Sequence, residues 1–324
     1  MTGRPPAGVE TATTGRGRRV SADNAFRGLA VSASGTVLLV VAAIAVFLIV
    51  RAVPALHANT GNFFTDQVWQ PDGDPARFGI AAALYFTIVT SIIAMVLAVP
   101  VALTAALFIT FYAPRRLRNG LGYAVELLAA VPSIVYGLWG FAFLAPHLTG
   151  LVQWLDRWFG WTGVFSYRPD NVPSSYSPLT AGIVLAIMIL PTISSISREV
   201  FRRVPDDHLE AALALGASRS EMLRLAVLPV SRPGVIAASL LGLSRALGET
   251  LAVTIVLSTV FTISFHITES GGVTFAAIIA LKYGEAGEVG TGALIAVGLC
   301  LFVVTLAVNL AASMITGRRR EGAA

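Results

Sequence analysis

Residues 204–229 read VPDDHLEAALALGASRSEMLRLAVLP, a stretch carrying start and stop signals for two helices. Pro205 suits a first helical position, where its missing N–H would have no partner anyway, and Asp206 and Asp207 set negative charge against the positive end of the helix dipole. Gly216 marks the end, because the residue just past a helix commonly turns left-handed and glycine does so without a side-chain clash. Ser218 and Glu221 then form an S-x-x-E capping box for a second helix, predicted to run until Pro229. Leu209 and Leu213 fall one turn apart on one side of the first helix. The predicted unit is a helix, a glycine corner and a helix. Such a unit can dock as a knob on another protein or pack beneath its own bundle, and spacing alone leaves both open.

On both sides of this unit the chain is apolar. Runs at about 29–53, 78–112, 121–148, 179–196, 235–260 and 291–315 predict six membrane spans, since a ~30 Å hydrocarbon core takes about 20 helical residues. Of the 324 residues, 55% are hydrophobic and 13% charged, against roughly 25% charged in a soluble domain, which excludes a water-soluble globule. The fold class is all-α and polytopic. Run 78–112 would be roughly 50 Å long as one helix, so it must tilt, kink or protrude. Pro100 is the natural place for a kink, and Pro114 with Arg115, Arg116 and Arg118 ends the run. Residues 1–29, rich in Gly, Pro, Thr and Arg, are predicted to be a mobile tail, and the first run is read as an uncleaved span because no small-x-small cleavage pattern follows it. The expected organisation is a basic tail 1–29, a membrane domain 30–316 containing the loop 205–229, and a short tail 317–324.

Charge predicts the orientation. Seventeen of the 23 basic residues lie in 1–29, 113–120, 197–232 and 317–324, which the positive-inside rule puts in the cytoplasm together with both termini. Arg51, Arg77, Arg157, Arg168 and Lys282 fall on the other side, and Arg245 lies within a span. Topology therefore accounts for the net charge of +5, with no nucleic-acid partner implied. The outer loops carry Trp69, Trp154, Trp158, Trp161, Tyr167 and Tyr176, amphipathic aromatics expected to anchor at the lipid interface.

Chemistry of several kinds is missing. Cys300 is the only cysteine, so no disulfide framework or cysteine-ligated metal can form. Lys282 is the only lysine and sits between Leu281 and Tyr283, so the G-x-x-x-x-G-K-[ST] phosphate cradle is absent and any ATP must be hydrolysed by another polypeptide. His57, His147, His208 and Glu269 lack ligand spacing for a metal. No nucleophile sits beside a base, as an enzyme acting on lipid phosphates would need. No cofactor is implied.

Two charges stand inside the fifth apolar run. SRALGETLAV at 244–253 places Arg245 and Glu249 four residues apart, on one face of the predicted helix and able to pair. A charge at mid-span costs about 3 kcal/mol on insertion scales, so both must face protein or water. Arg245 can receive an oxyanion, because a guanidinium offers a planar fork of donors. Glu249 would compete for the same guanidinium and keep the site from holding its ion too tightly. A buried ion pair that merely orients the span fits the same spacing. Glu126, near the inner end of the third run, is expected to snorkel or to pack helices. Pro132, Ser133, Tyr136 and Gly137 could supply hydroxyls and a backbone break to a pathway, though Gly137 and Gly140 are spaced for close helix approach, the commoner use of small residues in membranes. Pro191 is read as a kink in the fourth span.

With these residues in hand, the chain is seen to resemble a known family. Glu210, Ala211, Ala212, then Gly216, and later Leu228 and Pro229 resemble the EAA loop of ABC importer permeases, although Ala226 stands where the family often has isoleucine. The segments SRALGETLAV, ELLAAVPSIVYGLWG at 126–140 and AGIVLAIMILPTISS at 181–195 are similar to phosphate-importer permeases of the PstC kind. The resemblance implies a type I importer permease fold with a coupling-helix hairpin. It assigns Glu210, Ala211, Ala212 and Gly216 to contact with an ATPase, and Arg245 and Glu249 to phosphate passage. It also implies a sister permease, two ATP-binding subunits, an extracytoplasmic phosphate-binding protein and a bacterial cytoplasmic membrane. Alternatives are a permease for molybdate or sulfate, the sister phosphate permease, or an ion-coupled transporter or channel, which would function without ATPase partners.

Overall fold

The structure is a computed structural model that describes residues 16–167 and 176–317. The chain divides into two compact units, one ending at Val50 and the other starting at Arg51. The first unit is carried by helix α1 (Arg16–Ala58), whose apolar side chains from Phe26 onward are largely exposed within this chain, as in a helix that meets lipid or another subunit. Helix begins at Arg16, so the second half of the expected tail is helical; residues 1–15 and 318–324 lie outside the described residues.

The second unit packs around α7 (Pro178–Arg202). Of the helices long and apolar enough to span a membrane, α7 is the one mostly enclosed, with 67% of its most apolar window buried. Ser177 caps it by accepting from the Thr180 N–H, and Pro178 occupies its first turn, where a proline costs no hydrogen bond. Against α7 lies α2 (Ala81–Leu107), which buries Ala94, Ala98, Ala102 and Ala106 at four-residue spacing. Small side chains bring the two backbones close: a methyl on Gly182 would stand 2.5 Å from Ile93. A wide π-helical turn, Phe108–Tyr112, closes α2 two residues before Pro114. Rather than forming a loop, the Arg115, Arg116, Arg118 cluster opens α3 (Arg115–Ala129).

The third predicted span is broken. The segments Arg115–Ala129 and Ser133–His147 meet at 88°, because Pro132 forces extended backbone and disfavours helix at the residue before it. The second segment is α4 (Ser133–Trp139), a π-helical turn Gly140–Leu144 and α5 (Ala145–His147); amphipathic α6 (Thr149–Phe159) follows. The Tyr136 hydroxyl donates to the Leu128 carbonyl at 2.7 Å, tying the two sides of the bend together.

The hairpin forms with one correction. Its first helix, α8 (Asp206–Ala214), ends in a Schellman motif: Gly216 at φ +85° lets its own N–H reach Leu213 O and the Ala217 N–H reach Ala212 O. The Ser218–Glu221 capping box then opens α9 (Arg219–Met222), with Ser218 N–H to Glu221 Oε2 at 2.8 Å. Replacing Ser218 with alanine is expected to lose ~1 kcal/mol of local stability, read as faster amide exchange at Ser220–Met222. The second helix does not stop at Pro229. It runs on through a π-helical turn Leu223–Val227 into α10 (Leu228–Leu247), one rod from Arg219 to Leu247. Leu228 N–H bonds five residues back to Leu223 O, so the register widens just before Pro229, whose missing donor then falls in the first turn of α10.

The fifth predicted span is likewise two helices, α10 and α11 (Leu251–Val256), separated at 248–250, while α12 (Phe275–Lys282) and α13 (Glu288–Gly317) complete the unit. Among the described residues five helices can cross a membrane, six if the bent pair counts as one. At the end opposite the hairpin, strands β1 (Trp69–Gln70) and β2 (Arg77–Phe78) make a short antiparallel ribbon that the sequence reading did not anticipate. Asp72 fastens it to α13 by accepting from Gly287 N–H and Gly290 N–H at 2.9 and 2.8 Å. The outer aromatics divide. Trp154, Trp158 and Trp161 are exposed as interfacial anchors should be, whereas Trp69 stacks on Phe261 and Tyr176 on Phe141, so these two fix loops instead.

Candidate functional site

Glycine places the site. One turn before Arg245, Gly242 faces α7, and a methyl there would stand 2.6 Å from the Ile193 side chain. This close approach carries Arg245, in the last turn of α10, to α7, where its Nη1 lies 3.5 Å from Thr192 Oγ1. Tyr136 of α4 is buried beside them and lies within the electrostatic reach of Arg245. Three separate helices thus meet at one half-buried guanidinium.

Glu249 stands in the break between α10 and α11 and does not pair with Arg245. Gly248 has weak helix propensity and ends α10. Beyond it the Glu249 carboxylate turns forward, and Oε1 accepts the Ala252 N–H at 3.1 Å, satisfying a donor that the start of α11 leaves open. The one-turn spacing that would allow an ion pair assumes an unbroken helix, and the break removes that geometry. Arg245 is therefore left with a neutral hydroxyl as its hydrogen-bond partner among the described residues. A guanidinium so placed retains donors for an anion.

Gly137 and Gly140 do what their spacing suggests. A methyl on Gly137 would come 2.7 Å from the Ala252 Cα, and one on Gly140 would come 2.4 Å from Val184. Replacing Gly137 with valine is expected to drive α4 off α11 and lower stability by about 1–3 kcal/mol, measured as a fall in thermal midpoint in detergent. Thr192 was not singled out in the sequence; its position beside Pro191 in ILPTISS was the available signal. Glu126 packs helices by pairing with Arg198 of α7.

The hairpin divides its residues between two faces. Leu209 and Ala212 pack on Ala106, Phe201, Met222, Leu223 and Val227 of its own bundle, whereas Glu210, Ala211, Leu213 and Leu215 are exposed, Leu215 at 90%. The packing beneath its own bundle is thus realised on one face, and the other face is left exposed.

The family model for "Binding-protein-dependent transport system inner membrane component" matches residues 98–321. A Mycobacterium tuberculosis (strain H37Rv) protein named phosphate transport system permease protein PstC 2 is 48% identical over 297 residues, 91% of this chain and 92% of its own. A Xylella fastidiosa (strain Temecula1) protein named phosphate transport system permease protein PstC is 40% identical over 318 residues, 97% of each chain. A chain of the MetNI methionine ABC transporter in inward-facing conformations shares the fold, with a TM-score of 0.51 and 18% identity across 74% of this chain and 94% of that one. Its spans, its glycine-cornered hairpin and these relatives together place this chain in the family of binding-protein-dependent transport system inner membrane components, the permease subunits of ABC transporters, alongside the PstC proteins.

Proposed function

We propose that this chain is one membrane-spanning subunit of an ATP-driven importer that moves inorganic phosphate inward across the cytoplasmic membrane. The observation that carries the reading is Arg245: relatives named for phosphate transport match the chain nearly end to end, and this half-buried guanidinium stands at a helix break with the Thr192 hydroxyl as its hydrogen-bond partner among the described residues. Arginine presents a fork of donors suited to a tetrahedral oxyanion, and a broken helix leaves backbone free to line a pathway. The hairpin end faces the cytoplasm in this reading, as do both termini and the tails 1–29 and 317–324 on either side of a membrane domain 30–316. A sister permease completes the passage, two ATP-binding subunits grip the exposed face of α8, and an extracytoplasmic phosphate-binding protein delivers the ion.

Mechanical coupling follows from continuity. Arg219 begins the rod whose last turn holds Arg245, so the hairpin and the pathway residue lie on one rigid element about 40 Å apart at 1.5 Å per residue. A push on Leu215 and Glu210 passes through Leu209 into Phe201 of α7 and Met222 of the rod. Both helices that hold the Arg245–Thr192 contact then move together.

The test is uptake by proteoliposomes holding the full complex with its binding protein. Labelled phosphate should enter only with ATP inside, and excess sulfate or molybdate should leave entry unchanged. Uptake without ATPase subunits, or preferential entry of sulfate or molybdate, would refute the reading.

A further inference from the structure

A second cluster of guanidinium groups, away from Arg245, is built between α3 and α7. A cavity of about 110 Å³ is lined by Arg118, Asn119, Gly122, Glu126, Arg198 and Arg202. The α3 residues sit on one face of that helix, and Arg198 and Arg202 are one turn apart on α7. Arg198 is six residues beyond Thr192, about 9 Å along the axis at 1.5 Å per residue.

Arg198 has only 6% of its side chain exposed, and Glu126 holds its Nη2. Its Nη1 and the Nε of Arg118 are both buried with no hydrogen-bond partner among the described residues. Burying charged donors without an acceptor is costly, so these atoms call for a ligand that brings acceptors. Gly122 provides the room, since a methyl there would stand 2.2 Å from Arg198 Nη1. Three guanidinium groups face one carboxylate, which leaves the cavity positive. Asn119 and Arg202, both exposed, open it to the surface.

We propose that this cavity binds a phosphoryl oxyanion, either a free phosphate ion or the phosphate of an anionic lipid headgroup. The proposal rests on the cavity and not on the transport reading. Glu126 holds Arg198 in place while the site is empty and competes with the incoming anion for it. Arg118 and Arg202 supply the remaining donors.

The test uses the assembled complex carrying Arg245→Ala, so that the pathway arginine does not contribute. Equilibrium binding of radiolabelled orthophosphate is measured in nanodiscs of phosphatidylcholine, and retention of phosphatidylglycerol is measured by native mass spectrometry. Arg202→Gln, at an exposed position that leaves the fold intact, should weaken binding about tenfold, as loss of a charged hydrogen bond does. Glu126→Gln should tighten it severalfold by releasing Arg198. Gly122→Ala, which fills the cavity and keeps every charge, should abolish it. Phosphate binding in phosphatidylcholine identifies the free ion as ligand, and phosphatidylglycerol retention that follows the same variants identifies the lipid. Binding of neither ligand, or binding that Arg202→Gln and Glu126→Gln leave unchanged or weaken alike, would overturn the proposal.

Discussion

Arg245→Ala is expected to reduce ATP-driven phosphate uptake about ten- to a hundred-fold while the complex still assembles, the loss matching the ~1.5–3 kcal/mol of a hydrogen bond to a charged group. Assembly should survive because Arg245 makes no ion pair with Glu249 whose loss would strand a carboxylate; its hydrogen-bond partner is the neutral Thr192 hydroxyl. Arg245→Lys keeps the charge but not the planar fork and should recover only part of the uptake. Glu249 separates two roles. Its carboxylate accepts the Ala252 N–H, a bond that a glutamine oxygen can also accept, so Glu249→Gln should preserve α11 and change only the charge near the pathway. Glu249→Ala loses the bond as well and should loosen α11 against Gly137. Radiolabelled uptake and size-exclusion of the purified complex read the two effects independently. If Arg245→Ala disperses the complex to the same degree that it stops uptake, the guanidinium is a structural element and not a phosphate contact.

The other large effect lies at the hairpin. Leu215→Asp should eliminate ATP-dependent uptake and release the ATP-binding subunits on purification, by tenfold or more, since burying a leucine contributes about 1.5–3 kcal/mol. Leu215 is almost wholly exposed in this chain, and its change touches nothing in the bundle. Leu209→Asp is the control: that residue packs toward Phe201 and Met222, so its replacement should instead destabilise the subunit itself. Retention of the ATP-binding subunits by the Leu215→Asp complex, with uptake intact, would remove α8 from the coupling path.

How much was legible differs from one element to the next. The α8 corner was written locally: a glycine for a left-handed turn and a serine three residues ahead of a glutamate specify their hydrogen bonds within a few residues, and the structure forms them at Gly216 and Ser218. Gly137 and Gly140 were similarly readable, although which helices they would meet was not. Arg245 and Glu249 stand out as charges in an apolar run, but whether they pair is not legible there, because Gly248 breaks the helix between them. A proline usually stops a helix, so the sequence places the end of the second hairpin helix at Pro229, whereas a π-helical turn a few residues earlier shifts the register and lets the rod continue. Arg198 carries no distinguishing local signal and Thr192 only its place beside Pro191, since their roles come from helices far away in the chain.

The sequence by itself determined that this chain crosses a membrane several times, where its hairpin turns, and that a guanidinium must be sheltered inside the bundle. Hydropathy, proline and glycine act over a few residues, and those features depend on nothing further. Only the tertiary structure decided that Thr192 rather than Glu249 faces Arg245, that Glu126 pairs with Arg198, and that the hairpin and Arg245 share one rod. The first two depend on how closely α3, α7 and α10 approach, which is set by glycines meeting side chains distant in sequence, and the third on the π-helical turn that carries the helix past Pro229.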